Sequence, residues 1–370
     1  MTNPDRIDLD AVHAALGEHG HPWQAAENPL TRMSTAARRR RLGVPLPSET
    51  DRAAIETRAT QARQIHAAAQ AAAAGTPAAF DARNVGGHSY VTPVRDQGDC
   101  GSCVAFGSVA VLETTAAYTR RQPGLQLDLS EAHLFYTLGA GVGVTCDTGW
   151  LPMPALTMAR DIGVTFEDYF PYTPRNSGGA ILNADWPNRL ARSINLIDGT
   201  GDPAAMKAHI ATYGSVTACL EVYDDFFGYR TGVYRHVSGS LAGGHCVALI
   251  GYDDAQRCWI GKNSWGPSWG DGGFFRIGYG ECHIDAWQCV GAQQVPLRAW
   301  TGVTSVLGLW SDDSPRNGWV YLENLGWHWL GAETDQAAAT MLSDMVGARL
   351  GARGVNAFAD AGTISSLYVY

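Results

Sequence analysis

The chain has 370 residues, enough for roughly two or three domains. Hydrophobic residues make up 45% and charged residues 17% of the chain, so disorder throughout is excluded and a core of ordinary size is expected. The formal net charge of -9 argues against a nucleic-acid-binding protein, because such proteins carry a basic surface.

The sequence predicts no membrane-spanning helix, because it contains no run of about 18 apolar residues. Its first ten residues include acidic side chains where a secretory signal has a basic and then an apolar stretch. We therefore expect a cytoplasmic protein, or one exported by another route. The composition, rich in Ala and Gly and poor in Lys, suggests a bacterial genome of high GC content.

Two helices are predicted near the N-terminus. The first is short and amphipathic, with Asp8 or Asp10 as its cap and apolar positions spaced by three and four at Leu9, Val12 and Leu16. The second covers residues 51–74, which are Ala-rich, and we expect it to be exposed or loosely packed until residues 75–77 end it. Between them lie four consecutive arginines at 38–41. They are interpreted as a solvated face, with a processing or docking site as the alternative.

The middle of the chain is predicted to be an α+β unit with two subdomains, because helices come first and strands follow. Helices are predicted at residues 104–118, 149–162 and 203–213. Strands are predicted at residues 215–222, 245–252, 258–262 and 273–277.

Residues 297–370 are predicted to form a small α/β module. Strands are expected at 303–309, 319–330 and 363–370, and a helix at 335–350. The module contains Trp300, Trp310, Trp319, Trp327 and Trp329. These side chains are interpreted as core and edge aromatics, with a ligand-binding aromatic surface as the alternative.

The sequence Cys-Gly-Ser-Cys at 100–103 leads from a Gly- and Asp-rich loop into an apolar helix. Cys103 therefore lies at a helix N-terminus, where the macrodipole and free N–H groups stabilise a thiolate. A thiolate is the nucleophilic form of cysteine. Taken alone, the motif would equally suit a redox pair or half of a zinc site.

A base and an orienting group are found far downstream. His245 follows two glycines and opens an apolar, strand-like run. Asn263 can accept a hydrogen bond from the imidazole and so fix its tautomer, and Trp265 can shield that bond from water.

Gln97, the Cys-Gly-Ser-Cys sequence, His245 and the Asn-Ser-Trp-Gly sequence at 263–266 together resemble the papain family of cysteine proteases. The resemblance implies a papain-like fold with a helical left lobe and a β-barrel-like right lobe. It further implies an N-terminal prosegment-like extension (1–75), a catalytic domain (76–296) and a C-terminal accessory module (297–370).

The catalytic roles follow from this resemblance. Cys103 would be the nucleophile, His245 the general base and acid, and Asn263 the residue that orients the imidazole. Gln97 would form the oxyanion hole with the backbone N–H of Cys103. No metal or other cofactor is expected.

The resemblance also implies substrate contacts and one disulfide. Gly149 would hydrogen-bond the substrate backbone, and Cys100 would pair with Cys146. An apolar pocket for the second residue before the cut would be lined by Met153, Cys219 and Cys246, with Trp265 also counted among the substrate-binding residues. Cys219 and Cys246 are candidates for a second pair, and Cys258, Cys282 and Cys289 have no assignment.

The predicted function is a cysteine endopeptidase that acts on peptide or protein substrates through a thioester intermediate. We expect it to be made as a self-inhibited zymogen, with an extension packed elsewhere as the alternative for residues 1–75. An exopeptidase or peptide ligase, with residues 173–186 blocking one end of the cleft, and a non-catalytic binding homologue remain alternatives. The C-terminal module is expected to dock a substrate or partner.

Overall fold

The computed structural model describes residues 6–69, 76–176, 182–360 and 362–370. The chain forms two compact units, Met1–Leu182 with Ser193–Val295, and Asn183–Arg192 with Pro296–Tyr370. The first unit thus joins the N-terminal extension to the expected catalytic domain. The second adds residues 183–192 to the expected C-terminal module.

The N-terminal segment, defined here as residues 6–69, is built mainly from helices. It contains α1 (Leu9–Glu18), β1 (Trp23–Ala25), α2 (Thr35–Arg39) and α3 (Glu49–Ala69). Asp8 caps α1 by accepting the backbone N–H of Ala11, as the sequence predicts. The last predicted residues of α3, 70–74, and Gly75, the first residue expected to end it, lie outside the described residues.

The expectation of a loosely packed α3 is wrong, because one face of this helix is buried. Ile55, Ala59, Ala62 and His66 are buried at a spacing of four, three and four residues. Small alanines allow the helix backbone to approach its neighbours closely. The interpretation of residues 38–41 as a solvated face holds for the exposed Arg39 and Arg40 and is wrong for Arg38 and Arg41, which are 3% and 8% exposed.

Three further helices of the first unit lie between strands of its main sheet along the chain. They are α4 (Cys103–Thr119), α5 (Pro152–Asp161) and α6 (Pro203–Tyr213). α4 is buried along almost its whole length, because it packs against α5, α6 and the sheet. A wider helical turn at His133–Gly139 was not predicted from the sequence.

Apart from the two-residue β3 (Val164–Thr165), the strands of the first unit form one open, mostly antiparallel sheet. Besides β1, they are β2 (Ala79–Asp81), β5 (Asn195–Asp198), β6 (Val216–Tyr223), β7 (Tyr229–Tyr234), β8 (Leu241–Asp253), β9 (Cys258–Lys262), β10 (Phe274–Gly278) and β11 (Trp287–Gln293). Their order is β1-β7-β10-β9-β8-β6-β11-β5, with β2 paired to β8. The expected barrel-like lobe is therefore an open sheet in the described chain, with no closure between β1 and β5.

The second unit packs one helix against a sheet. Its elements are β4 (Leu190–Ala191), β12 (Leu297–Trp300), β13 (Val306–Ser311), β14 (Gly318–Leu322), β15 (Gly326–Leu330), α7 (Asp335–Leu350), β16 (Val355–Asp360) and β17 (Thr363–Val369). Its buried cluster joins Val320, Leu330 and Ile364 of the sheet to Met345 and Ala348 of α7. The predicted strand at 319–330 is thus two strands with a turn between them, and β12 and β16 were not predicted.

Tryptophans of three neighbouring strands lie side by side in this second sheet. Trp319 pairs in register with Trp310 on one side and with Trp329 on the other. A cavity of about 610 Å³ is lined by Trp319, Trp327 and Trp329, and Trp310 and Trp327 are each 49% exposed. These aromatics therefore lie outside the module core.

Candidate active site

Cys103 is the first residue of α4 and is fully buried. The loop before it is fixed by a disulfide between Cys100 and Cys146, with an S–S distance of 2.02 Å. Backbone N–H groups of Val104 and Cys246 donate to the Cys103 sulfur. Because Cys246 follows His245 directly on β8, this contact brings the sulfur to the strand that carries the imidazole.

The tautomer of His245 follows from its partner. Nε2 of His245 lies 2.8 Å from Oδ1 of Asn263, and the same Oδ1 accepts the backbone N–H of Ser264 at 2.8 Å. An amide oxygen only accepts hydrogen bonds, so Nε2 carries the proton. Nδ1 of His245 is buried without a hydrogen-bond partner and holds a free lone pair, as a general base requires.

The ring of Trp265 packs against the imidazole of His245. Its ring stacks on His245 with the centroids 4.6 Å apart, and Phe227 stacks on its other side at 5.1 Å. Trp265 is 1% exposed and belongs to the core cluster. The structure therefore places it as a shield for the His245–Asn263 bond, not on the cleft surface where a substrate-binding residue was expected.

Gln97 is held by hydrogen bonds at both ends of its amide. Its Oε1 accepts the hydroxyl of Ser264 at 2.6 Å, and its Nε2 donates to the carbonyl of Cys100 at 2.8 Å. Nε2 also donates to the carbonyl of Arg41 at 3.0 Å. A peptide carbonyl of the N-terminal segment therefore occupies the position where the resemblance implies an oxyanion hole.

Residues 41–44, which we call the cleft segment, run between the two sides of the site. The backbone N–H of Gly43 donates to the Cys103 sulfur, and the Gly43 carbonyl accepts the N–H of Trp150 at 2.8 Å. Val44 forms a bridge to Gly244, to whose carbonyl its N–H donates at 3.1 Å. The cleft segment thus contacts the backbone on both sides of the nucleophile.

A glycine is required at Gly43 by the closeness of two other backbone stretches. A Cβ at this position would lie 1.9 Å from the carbonyl oxygen of Gly101. A Cβ on Gly149 would lie 2.0 Å from the carbonyl oxygen of Gly43. Because neither glycine has a side chain, the backbone of the cleft segment can pack directly against the backbone at Gly101 and Gly149.

Burial controls the protonation of Cys103 and His245 in this arrangement. Burial raises the pKa of the Cys103 thiol to about 12, although three backbone N–H groups oppose the shift. Burial also lowers the pKa of His245 to about 4, and its bond to Asn263 opposes this. The thiolate expected from the helix N-terminus is therefore not the stable form here, because the covered site desolvates the charge more than the helix stabilises it.

The other residues expected to bind substrate differ in their surroundings. The N–H of Gly149 donates to Thr145, so the neighbouring N–H of Trp150 makes the contact that was expected from Gly149. Met153 is half-buried on α5. Cys219 and Cys246 are buried opposite each other in the β6–β8 register, and both thiols are free, so the proposed second disulfide is absent between them.

Sequence reasoning missed Ser264 and Trp287. Ser264 fixes Gln97, and its place within the Asn-Ser-Trp-Gly sequence was the available signal. Trp287 lies opposite Cys219 on β11, and both its ring and Val44 come within 3.1 Å of a Cβ placed on Gly244. No local pattern marks Trp287, because only strand pairing brings it to the cleft.

A group of buried charges lies behind Asn263. Glu113 and Lys262 both hydrogen-bond the Thr92 hydroxyl, and Glu131 lines a cavity of about 20 Å³ with them. Burial raises the pKa of Glu113 and Glu131 and lowers that of Lys262. Lys262 directly precedes Asn263 in a strand of otherwise uncharged residues, and this was the sequence signal that could have revealed it.

In the described part of the chain, no group of three His, Cys, Asp or Glu residues is arranged to hold a metal ion. Within the same residues, no helix is long and apolar enough to cross a membrane.

A cysteine at a helix start, an imidazole oriented by an amide and a positioned glutamine define a cysteine peptidase site on an α+β fold. Residues 76–292 match the family model described as papain family cysteine protease. The chain therefore belongs to the papain family and is a papain-like cysteine peptidase, a hydrolase that acts on peptide or protein substrates.

Similar proteins include "Cathepsin B-like CP3" of Giardia intestinalis, which is 37% identical over 213 residues, covering 54% of this chain and 69% of that protein. "Gut-specific cysteine proteinase" of Caenorhabditis elegans is 30% identical over 252 residues, or 60% of this chain and 75% of that protein. Nothing in these relatives supports the expectation of a cytoplasmic bacterial protein.

Two solved structures share the fold. The procathepsin B S9 of Trypanosoma congolense superposes with a TM-score of 0.60 at 20% identity, covering 77% of this chain and 97% of that one. The digestive procathepsin L2 of Tenebrio molitor gives a TM-score of 0.59 at 23% identity, covering 78% of this chain and 90% of that one.

Proposed function

We propose that the chain is the self-inhibited precursor of a cysteine endopeptidase. Cys103 is its nucleophile, His245 its general base and acid, Asn263 the residue that orients the imidazole, and Gln97 the side chain of the oxyanion hole. The observation that carries the proposal is the hydrogen bond from Gln97 to the Arg41 carbonyl, in a cleft where Gly43 also donates to the Cys103 sulfur.

The reaction begins once a substrate replaces the cleft segment. Nδ1 of His245 accepts the thiol proton, and the Cys103 sulfur attacks the peptide carbonyl carbon. The resulting oxyanion accepts hydrogen bonds from Nε2 of Gln97 and the backbone N–H of Cys103. His245 then protonates the departing amine, and water attacks the thioester to release the acid and regenerate the thiol.

Inhibition by the N-terminal segment is supported by its contacts along the cleft. A carbonyl already bound to Gln97 excludes a substrate carbonyl from the same donor. The matched family region begins at residue 76, whereas the likeness to procathepsin B S9 covers 77% of this chain and thus extends beyond that region. This favours an inhibitory prosegment over an extension packed elsewhere.

Cys103→Ala tests the nucleophile. We expect the full-length variant to fold, with an unchanged thermal transition, and to hydrolyse no peptide. Cys258→Ala, at a buried thiol at the start of β9, is the control and should retain hydrolysis. Unchanged turnover in Cys103→Ala would overturn the assignment.

Product mapping separates an endopeptidase from an exopeptidase or a ligase. A long unfolded peptide should be cut at internal bonds, and the fragments are identified by mass spectrometry. Removal of residues only from one end, or joining of peptides, would favour the alternatives. The predicted blocking loop at 173–186 includes residues 177–181, which lie outside the described residues.

The C-terminal unit is proposed to dock a substrate or partner. Its support is the half-exposed aromatic surface formed by Trp310, Trp319, Trp327 and Trp329. Trp327→Ala should weaken cleavage of a protein substrate without changing hydrolysis of a short peptide. An equal effect on both substrates would argue against docking.

A further inference from the structure

We propose that the aromatic face of the C-terminal unit is a binding site for a neutral, unbranched, β-linked polysaccharide. The aromatic face is defined here as the side chains of Trp310, Trp319, Tyr321, Trp327 and Trp329. This inference rests on the docking role proposed for that unit, and it names the chemistry of the partner.

The five aromatic side chains lie on one face of the sheet because they are paired in register. Trp319 of β14 lies opposite Trp310 of β13 and Trp329 of β15. Tyr321 of β14 lies opposite Trp327 of β15. Residues that are directly opposite each other, or two apart on one strand, point to the same face of a sheet. The alternate residues of β14 belong to the buried cluster with α7, so the aromatic face is the side of the sheet turned away from that helix.

Two of the rings are held in place by hydrogen bonds from their indole nitrogens. Nε1 of Trp319 donates to Oδ1 of Asn317 at 2.8 Å, and Nε1 of Trp329 donates to the carbonyl of Arg316 at 3.1 Å. Both acceptors lie in the turn between β13 and β14, where Nδ2 of Asn317 also donates to Asp312 at 2.8 Å. Because these rings are fixed before a ligand arrives, little conformational entropy is lost on binding.

The same two hydrogen bonds favour a saccharide over a proline-rich peptide, which is the other ligand that aromatic grooves commonly bind. A proline-rich peptide has carbonyl groups but few N–H groups, so it needs donors such as an indole N–H. The indole N–H groups of Trp319 and Trp329 already donate within the unit, which leaves their ring faces to a ligand. The C–H groups on one side of a pyranose ring can pack on such a face, which carries partial negative charge.

Among the described residues, no charged side chain lines the cavity of about 610 Å³ on this face. Besides the three tryptophans, its lining residues are Ser314, Pro315, Asn317, Gly362 and Thr363. Hydroxyl and amide groups can both donate to and accept from the hydroxyls of a sugar. One N–H of the Asn317 amide is given to Asp312, and the second is available to a ligand. A charged sugar would lose hydration here without gaining a counter-charge, so a neutral sugar is expected.

The spacing of the aromatic side chains favours a straight chain of sugars. Neighbouring strands lie about 4.8 Å apart, so Trp310, Trp319 and Trp329 form a row about 10 Å long, enough for about two or three sugars. A β-1,4-linked chain is extended and repeats the apolar sides of its rings along a line, whereas an α-1,4-linked chain coils. β13 is the outer strand of the sheet, so the row is open to a longer chain at that end. The branched glycans of a glycoprotein fit such a row less well.

The test measures the binding of small saccharides by isothermal titration calorimetry. The protein is the full-length Cys103→Ala chain, so that self-cleavage does not interfere. Cellotriose is the neutral β-linked probe, and maltotriose has the same composition with α linkages. A decaproline peptide represents the alternative ligand. A protein with mannose-rich glycans, compared with the same protein after removal of the glycans, represents the alternative source of sugars.

We expect cellotriose to bind at least about fivefold more tightly than maltotriose, and decaproline and the glycans not to bind. Trp327→Ala, which removes a side chain from the cavity, should weaken cellotriose binding by about fivefold or more, the scale of one lost aromatic contact. Trp310→Ala, at the end of the row, should weaken it less. Trp300→Ala is the matched control and should leave binding unchanged, because Trp300 is 44% exposed on β12, three strands away from β15.

Several results would overturn the saccharide site. They are no binding of cellotriose, binding that survives in the Trp310→Ala, Trp327→Ala double variant, equal binding of maltotriose, and binding of decaproline or of the glycans in place of cellotriose. The measurement requires no hydrolysis, so it is separate from the test of the docking role. If cellotriose binds through Trp327 while Trp327→Ala leaves cleavage of a protein substrate unchanged, the saccharide site is supported and the docking of a protein substrate fails.

Discussion

The side chain of Asn263 organises the site through one oxygen atom. Its Oδ1 accepts from both His245 and the backbone of Ser264, so the amide cannot rotate without losing a buried hydrogen bond. The hydroxyl of Ser264 in turn fixes Gln97. His245 and Gln97, the proposed base and oxyanion donor, are thereby held by adjacent residues of one backbone stretch.

Gln97→Ala should lower kcat by about 10²–10³ while KM changes little, because the bond to the developing oxyanion is lost mainly in the transition state. Ser264→Ala should lower kcat by a smaller factor, about tenfold, by freeing the Gln97 amide. Steady-state kinetics on one peptide measure both effects.

Ser264 acts through Gln97 in this interpretation, and the double variant tests it. Loss of both side chains should lower kcat no further than loss of Gln97 alone. Additive losses would show that Ser264 acts independently of Gln97.

At the scale of single elements, the cleft segment depends on the absence of a side chain at Gly43. Its Cα faces the Gly101 carbonyl at a distance that leaves no room for a methyl group. Any larger residue must therefore lift the segment away from the nucleophile.

Gly43→Ala should give a full-length chain that hydrolyses peptides at once, with an initial rate at least tenfold above that of the unprocessed wild-type chain. The initial rate, measured before any cleavage of the chain, is the readout. Gly17→Ala is the control, because a Cβ there comes no closer than 3.8 Å to its neighbours. A Gly43→Ala chain as slow as the wild type would mean that the segment does not block the site.

Helix α3 is docked on residues of the catalytic part by several charged groups. Arg52 pairs with Glu221 at 2.7 Å, and Glu56 with His283 at 2.9 Å. His66, stacked on Tyr279 at 4.1 Å, hydrogen-bonds the buried Asp285 at 2.9 Å. These contacts make the attachment of the helix depend on pH.

Two pKa shifts set the direction of that dependence. The hydrogen bonds with Glu221 and, to a smaller extent, with Glu56 of α3 raise the pKa of His283 above its ordinary 6.5. The contribution of the Glu56 pair to the attachment of α3 is therefore complete below 6.5 and is lost as pH rises through the higher value. Burial alone would raise the pKa of Glu221, but hydrogen bonds from His283 and Arg52 lower it to about 2. That stabilisation is complete above the ordinary 4.5 and is lost as pH falls towards 2.

We expect α3 to be held most firmly between about pH 4.5 and 6.5, and hydrogen exchange of residues 49–69 across a pH series measures this. Intrinsic exchange rates are corrected at each pH. His283→Gln should remove the loss of protection on the alkaline side, whereas His88→Gln, at an exposed loop residue, should keep the wild-type profile. Protection that rises steadily with pH would contradict this assignment.

At the scale of the whole molecule, two units each have their own buried core. The C-terminal core centres on Met345 of α7, which is fully buried against the sheet. Units with separate cores can unfold separately.

Met345→Ala should destabilise the C-terminal unit by about 2–5 kcal/mol, the usual cost of truncating a buried methionine. Calorimetry should show one lowered transition, and short-peptide hydrolysis should be unchanged at temperatures below it. Val346→Ala, at a neighbouring side chain that is 38% exposed, should change neither. A loss of short-peptide hydrolysis in Met345→Ala would show that the catalytic part depends on this unit.

Most of the elements could be predicted from local sequence. The helix at Pro203–Tyr213 and the strand at Cys258–Lys262 have the predicted bounds. The spacing of apolar residues and the residues that end an element are both properties of the local sequence. The missed strands β12 and β16 belong to the mixed sheet of the C-terminal unit, where pairing partners come from distant parts of the chain. The buried face of α3 was present as a spacing of small residues, but alanine gives only a weak apolar signal.

The sequence by itself determined the chemistry, since the residue types and their order around Cys103, His245, Asn263 and Gln97 identify the family and the reaction. Only the tertiary structure decided the state of that chemistry. The Arg41 carbonyl at Gln97 and the desolvated thiol and imidazole depend on contacts between residues more than fifty positions apart. Such contacts have no period along the chain, and they form only when folding brings the N-terminal segment across the cleft.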